Sequence, residues 1–428
     1  MGAGVLSAGF LRAADGAMQC EGVAIERLAR EVGTPLFVYS AAIIRDRYTR
    51  LAAALAGVPH RIHYTLKANS TRAILRLLRE LGAGAEVVSG GELQRALRAG
   101  FAPGEIIFGG VGKTDDELRD AIRTGVMLIN VESEAELRRI DDLARQSARI
   151  APVGLRVNPE LTVAAPHDYI KTGERGHKFG IPQDEALGVA RLALTLRNVS
   201  LIGLDLHLGS QLSRVEPYHA GAQRLAALYS VLRAGGASAI RYLDIGGGLG
   251  VRYEREDPLD LNEFADVVLP LVAETGLTLV MEPGRFLVGN SGALVATVLY
   301  RKTSGGKQYV VADAGMTELL RPSHYHAYHR IERVGGGTSR TVVADVVGPV
   351  CESGDFLALD REIEDVSPGE RILVHDAGAY GYAMASTYNG RRRPAEVLVD
   401  GDRYAVITQR ETYDDLMRLD VDTPTWSA

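Results

Sequence analysis

Between residues 60 and 285 short apolar runs alternate with amphipathic helical stretches, and this rhythm constrains the fold more than any other feature of the chain. The runs are Ile62–Leu66, Ala85–Val88, Glu105–Phe108, Met127–Asn130, Pro152–Val157, Leu201–His207, Tyr242–Ile245 and Leu277–Met281. Stretches such as Gly91–Ala99, Asp115–Thr124, Ser133–Gln146, Asp184–Leu196 and Pro217–Ala234 separate them, with the apolar spacing of helices packed on a sheet. Eight strand–helix units over roughly 200 residues predict an α/β fold, and a closed (β/α)8 barrel rather than an open sheet.

From about residue 290 the helical rhythm stops. Short β-branched runs follow, Ala293–Tyr300, Tyr309–Val311, Arg340–Val347, Arg371–Val374 and Ala395–Val399, with hairpin-type turns at Ser304-Gly305-Gly306 and Asp400-Gly401-Asp402. The expected organisation is a barrel over residues 40–286 and a mainly-β domain built from residues 1–39 and 287–428. The run Leu36–Tyr39 could pair in either part. The connection over residues 158–183 is too long for a plain crossover, and an insertion there falls on the face where barrels keep their sites.

Composition narrows the function classes. The chain has 428 residues, 46% hydrophobic and 24% charged, which suits a soluble protein of two domains. A net charge of −6 without any long Lys/Arg run gives no footprint for nucleic acid or anionic lipid. No apolar stretch is long enough to span a membrane, and the first residues lack the pattern of a signal peptide. Cys20 and Cys351 show neither a disulfide framework nor metal-ligand spacing, so no metal is expected and a reducing cytoplasm is the expected setting.

Polar residues gather where the barrel strands end: Lys67, Ser89, Gly109, Glu132, Arg156 with Asn158, His207 with Ser210, Gly246–Gly248, and Glu282 with Arg285. Lys67, in His63-Tyr64-Thr65-Leu66-Lys67-Ala68-Asn69, is the most suggestive. A lysine that attacks aldehydes must be partly deprotonated, and a desolvated strand end would favour that; the plainer reading is a surface lysine ending a strand. Gly246-Gly247-Gly248 is not a dinucleotide fingerprint, because Val251 and Tyr253 stand where the third glycine belongs. After a seventh barrel strand, however, exposed amides suit a phosphate. An aldehyde-directed lysine with a phosphate nest points to pyridoxal phosphate.

In such a site Glu282, within Glu282-Pro283-Gly284-Arg285, could hold the pyridine nitrogen protonated and make the ring an electron sink; otherwise it pairs with Arg285. His207 could stack on the ring or be a core histidine. Cys351-Glu352-Ser353-Gly354-Asp355 is a dense polar cluster whose plain reading is a turn with a buried cysteine. Arg391-Arg392-Arg393 reads as a solvated loop or a subunit contact.

Taken in order, GTPLFVYS, YTLKAN, GAEVVSGGEL, KFGI, HLGSQ, DIGGGLG, EPGR, LLRPSHYHAY, CESGD and GAYGYAMASTYNGRRRPAEVLV resemble the pyridoxal-phosphate enzymes that share the alanine racemase barrel. The likeness is closer to their decarboxylase branch, and within it to the diaminopimelate decarboxylases. It implies decarboxylation of meso-diaminopimelate to L-lysine, with Lys67 carrying the cofactor as a Schiff base and His207 stacked on its ring. It also implies that Ser210, Gly246, Gly247, Gly248, Glu282, Pro283, Gly284, Arg285 and Tyr380 bind the cofactor. Arg285, Arg321, Tyr325, Glu352 and Tyr380 would hold the substrate. Cys351 would reach in from a neighbouring subunit to protonate the product carbon, which implies a homodimer with shared sites. Glu86 stands where that family more often has aspartate, and His324 where it is more often apolar. The alternatives are a decarboxylase of ornithine, lysine, arginine or a carrier-bound amino acid, an isomerase on the same barrel, and a non-catalytic protein of the same fold.

Overall fold

A computed structural model describes residues 9–162, 167, 172–336 and 340–427. Its contacts divide the chain into two units, residues 43–289 and residues 1–42 with 290–428.

The first unit is the predicted barrel. Its strands are β1 (His60–Thr65), β2 (Gly84–Val87), β3 (Ile106–Phe108), β4 (Leu128–Val131), β5 (Ala151–Asn158), β6 (Val199–Asp205), β7 (Tyr242–Asp244) and β8 (Thr278–Met281). Each is parallel to the next. Closure comes from β8 pairing with β1, with Leu279 opposite His60 and Met281 opposite Ile62. The closed sheet has no free edge between its first and last strands. Inside it, Ile107, Leu128, Ile202 and Val280 come from four different strands and pack with Met127.

A helix follows each strand: α1 (Arg72–Glu80), α2 (Gly90–Ala99), α3 (Asp115–Thr124), α4 (Glu134–Gln146), α5 (Gln183–Thr195), α6 (Glu216–Ala234), α7 (Leu261–Thr275) and the one-turn α8 (Arg285–Val288). Several begin with a side-chain oxygen that takes an otherwise unpaired amide: Ser89 for α2, Thr114 for α3, Ser133 for α4 and Asp260 for α7. These caps fix where each strand-to-helix loop stops, and so fix the rim on which polar side chains stand.

The long connection after β5 lies partly outside the described residues, at 163–166 and 168–171. Its return is anchored on the rim, because Asn158 Nδ2 donates to the carbonyls of Glu174 and Phe179 at 3.0 and 3.1 Å. The Gly180 amide donates to Glu132 Oε2 at 2.6 Å.

The second unit is mainly β. Leu36–Ser40 pairs antiparallel with Gly292–Ser304 and parallel with Ala395–Asp400, which settles the pairing that the sequence left open. All five of its side chains are buried. No helix among the described residues is long and apolar enough to cross a membrane.

Candidate active site

The strand β1 ends at Thr65, and the chain then makes one 3-10 turn over Leu66–Ala68. Leu66 and Ala68 are buried, and Lys67 between them is exposed. The expectation of a desolvated lysine at a buried strand end is therefore corrected. A turn with three residues per revolution sends neighbouring side chains in different directions, so Lys67 leaves the core that its neighbours enter.

This turn is stitched to the end of β8. Thr65 Oγ1 donates to the Glu282 carbonyl at 2.8 Å, and the Thr65 amide donates to the Pro283 carbonyl at 3.3 Å. A Cβ on Gly284 would stand 3.0 Å from that of Ala68, so the Glu282–Arg285 turn can lie against the lysine turn only if residue 284 is small. The same turn meets the glycine loop on its other side. The Glu282 amide donates to the Gly246 carbonyl at 2.8 Å, and a Cβ on Gly247 would fall 2.2 Å from the Glu282 carbonyl oxygen. Gly246 and Gly248 have φ of +68° and +89°, the left-handed region that favours glycine. Lysine turn, carboxylate turn and glycine loop thus form one continuous rim.

Glu282 does not pair with Arg285. Its Oε2 lies 2.8 Å from His207 Nε2, and His207 Nδ1 lies 3.2 Å from Asp205 Oδ1. Burial alone would lower the His207 pKa, but Asp205 first and then Glu282 outweigh it and raise it to about 9. Burial would likewise raise the Glu282 pKa, yet His207, with help from Asp244 and Lys67, brings it down to about 2. The imidazole is held as a cation between two carboxylates, which corrects the reading of a core histidine. Arg285 instead donates to Ser210 Oγ at 3.1 Å and to the Tyr253 hydroxyl at 2.8 Å.

Around this centre, Glu86 is buried on β2 and its pKa is pushed up to about 7 by burial, with Lys67 pulling it down and Glu282 adding to the rise. Arg156 on β5 pairs with Glu132 at 2.6 Å. A second lysine, Lys113, also stands at this end of the barrel. It is locked by the carbonyls of Gly110 and Asn130 at 2.6 and 2.7 Å and by Glu136 at 2.8 Å. Lys67 stands beside Glu86 and Glu282 and acts on the charge of both.

The remaining expected residues belong to the second unit. Arg321 is buried at the start of a short helix, Arg321–Tyr325, and its Nη1 is 2.9 Å from His329 Nε2. Tyr325 is half-buried, with its ring edge-on to the exposed His324 at 4.6 Å between centroids. Cys351 is exposed, so the buried-cysteine reading fails. Its loop is held instead by the buried Asp355, whose carboxylate accepts the Met316 and Val350 amides at 2.7 and 2.6 Å. Glu352 is exposed, and its Oε1 accepts the Gly354 amide at 3.2 Å. Tyr380 is half-buried with φ of +58°. The three arginines expected in a solvated loop are each engaged within the unit: Arg391 with the Asp313 carbonyl, Arg392 over the Tyr413 ring and Arg393 with Glu411.

Sequence reasoning passed over Asp205, Asp244, Tyr253 and Lys113. The signal for the two aspartates was present: a carboxylate inside or closing an apolar run is out of place in a barrel strand unless something pairs with it.

The family profile described as "Pyridoxal-dependent decarboxylase, pyridoxal binding domain" matches residues 41–289. A diaminopimelate decarboxylase of Aquifex aeolicus is 43% identical over 417 residues, which are 96% of this chain and 98% of that one. That of Pseudomonas aeruginosa is 44% identical over 402 residues, 94% of this chain and 96% of the other. Among solved structures, the diaminopimelate decarboxylase of Helicobacter pylori complexed with L-lysine superposes with a TM-score of 0.89 at 39% identity, covering 92% of this chain and 98% of that one. The lysine/ornithine decarboxylase of Vibrio vulnificus, at 22% identity and a TM-score of 0.77 over 88% of this chain and 97% of that one, shares the fold. A closed barrel whose rim joins lysine, carboxylate and glycine loop, together with these near-full-length likenesses, places the chain in the diaminopimelate decarboxylase family of pyridoxal-dependent decarboxylases.

Proposed function

We propose that this chain decarboxylates meso-2,6-diaminoheptanedioate (meso-diaminopimelate) to L-lysine and carbon dioxide, with pyridoxal 5'-phosphate as cofactor. The observation that carries the reading is the rim itself: Thr65 ties the Lys67 turn to Glu282, and Glu282 rests on the glycine loop. The residues present fit the cofactor. Side chains at Gly246, Gly247 and Gly248 would each collide with neighbouring atoms, so the loop offers bare backbone of the kind that cradles a phosphate. Arg285 and Ser210 place a guanidinium and a hydroxyl together.

Lys67 Nζ would hold the cofactor's aldehyde carbon. His207 would lie on the ring, and Glu282 would keep the ring nitrogen protonated. Gly246–Gly248, Ser210, the Glu282–Arg285 turn and Tyr380 would hold the phosphate and ring. When bound, the cofactor supplies an electron-accepting ring that stabilises negative charge on the substrate's α-carbon. Glu282 suits its role, since its depressed pKa keeps it anionic across the physiological range. Cys351 Sγ would give a proton to the carbon that has lost carbon dioxide. An exposed thiol on a loop fixed by Asp355 is consistent with a group presented to a neighbouring subunit, in a cytoplasmic homodimer with shared sites.

The distal end of the substrate carries both charges. Arg321 and Tyr325, with Arg285, would take its carboxylate, since guanidinium binds carboxylate in a planar fork, and Glu352 would accept from its ammonium. Ornithine and lysine lack the distal carboxylate.

The test is to offer the loaded enzyme meso-diaminopimelate, ornithine, lysine and arginine separately while measuring carbon dioxide and the amine product. Arg321→Ala is expected to lower kcat/KM for diaminopimelate by roughly 30- to 5000-fold, the effect of about 2–5 kcal/mol. Equal turnover of ornithine or lysine by the wild type would overturn the substrate assignment.

A further inference from the structure

Beneath the Glu282–His207 pair lies a denser arrangement of carboxyl groups than the chemistry at Lys67 requires. Asp205, Asp244 and Glu282 come from the ends of three successive strands, β6, β7 and β8, and all are buried. His207 reaches Asp205 and Glu282, but among the described residues Asp244 makes no ion pair with any cation. Its Oδ1 accepts the Gly246 amide at 2.8 Å. Its Oδ2 is fully buried and faces no N–H donor, the same holds for Glu282 Oε1, and the two carboxyl groups are close enough to act on one another's charge.

Two buried carboxylates close together repel, and each buried acceptor without a donor is costly. One proton between them satisfies both. Its place is fixed by the neighbours. Glu282 has the His207 cation at 2.8 Å and Lys67 near by, so it is the better anion. Asp244 has only one amide in its favour, and Glu282 and Asp205 against it.

We propose that Asp244 is a positioning residue that stays a neutral carboxylic acid: it donates a proton from Oδ2 to the Glu282 carboxylate, accepts the Gly246 amide through Oδ1, and so locks the glycine loop and Glu282 to one another. The backbone supports this lock, since the Ile245 amide donates to the Val280 carbonyl at 3.1 Å and the Glu282 amide to the Gly246 carbonyl at 2.8 Å. The groups facing the cluster agree with it. Asp205 stands on β6, with His207 just beyond it, and Glu282 follows β8. Lys67 after β1 and Glu86 on β2 act on Glu282, and Arg156 on β5 acts on Asp205. Burial, then Glu282 and Asp205, raise the Asp244 pKa well above the usual carboxyl range. The role in positioning Glu282 for the cofactor rests on the function proposed above; the protonation state does not.

The experiment compares Asp244→Asn, Asp244→Ala and Glu282→Gln. Asparagine reproduces the neutral acid, with an amide N–H for Glu282 and a carbonyl oxygen for Gly246. The infrared spectrum of the cofactor-free wild type at about pH 8.5, where Glu86 is ionised, should show a protonated-carboxyl carbonyl band that is lost in Asp244→Asn. Asp244→Ala should weaken pyridoxal phosphate binding about tenfold or more, the effect of losing a buried hydrogen bond to a charged group, and Asp244→Asn should restore it to within about threefold of wild type. Absence of that band change, or an asparagine variant as impaired as the alanine one, overturns the proposal. Should the alanine variant fail to fold, the band and the asparagine affinity still decide. Glu282→Gln turnover near that of wild type would instead remove the role given to Glu282, a failure visible separately from the infrared band.

Discussion

The barrel rim and the Cys351 loop hold reactive groups in opposite ways. On the rim, each functional residue is fixed by others of the same set: Thr65 holds the Glu282 turn, Glu282 rests on the glycine loop, and His207 bridges Glu282 and Asp205. In the second unit the groups are fixed one at a time by residues without an expected chemical role, Asp355 under Cys351 and His329 beside Arg321. A closed ring of parallel strands delivers eight neighbouring ends to one face, so a network there comes with the architecture. The second unit's sheet mixes parallel and antiparallel pairs in an open order, so its loops receive no such convergence. The rim is therefore preorganised as a unit, whereas the loop groups depend on what they are presented to.

The largest test of this contrast is Lys67→Ala. Removing the covalent anchor should cost about 10⁴-fold or more in turnover, as loss of a nucleophile typically does, while the fold persists because the side chain is exposed. The cofactor-free variant should still unfold cooperatively. Borohydride reduction of the wild type should leave pyridoxyl mass on the Lys67 peptide; labelling of another lysine would break the assignment.

Next comes Cys351→Ala, expected to lower turnover by about 10²–10⁴-fold, the range for a proton donor. Mixing it with Lys67→Ala should recover activity if each site draws on two subunits. Demonstrated subunit exchange without recovered activity would mean that the loop serves its own barrel.

Lys113→Met sharpens the comparison from the other side. This lysine is buried and fully engaged, so breaking its set should cost about 3–5 kcal/mol of stability, measured by denaturant unfolding, with the Lys67 absorbance retained. A loss of cofactor binding without loss of stability would show that the two lysines are not divided in this way.

The smallest effect concerns Glu86. Its folded-state pKa of about 7 exceeds its unfolded value of 4.5, so the folded protein binds the extra proton and stability falls as pH rises between those values. Glu86→Gln should gain about 1–3 kcal/mol at pH 8 and nothing at pH 4. His207 loses stability in a different window: its pKa is raised from 6.5 to about 9, so its contribution is complete below 6.5 and is lost as pH rises through 9. A stability profile flat from pH 4.5 to 9 in both the wild type and Glu86→Gln would contradict both assignments.

The sequence by itself determined the barrel and the face on which chemistry gathers, because strand and helix periods are local and loop ends follow from them. Ile62–Leu66 and Leu277–Met281 read as strands without knowledge of each other, and Lys67 and Glu282 stood out at their ends. Only the tertiary structure decided which of these residues meet. That Glu282 takes His207 rather than its neighbour Arg285 follows from the strand order, which sets the ends of β6 and β8 on either side of β7 while a one-turn helix carries Arg285 toward Ser210 and Tyr253. Lys67 is exposed because a single 3-10 turn rotates it out between two buried neighbours, and Asp244 is buried beside other carboxyls because its strand lies between theirs. Charge state depends on distance and burial among groups far apart in the chain, and those are properties of the closed sheet rather than of any segment within it.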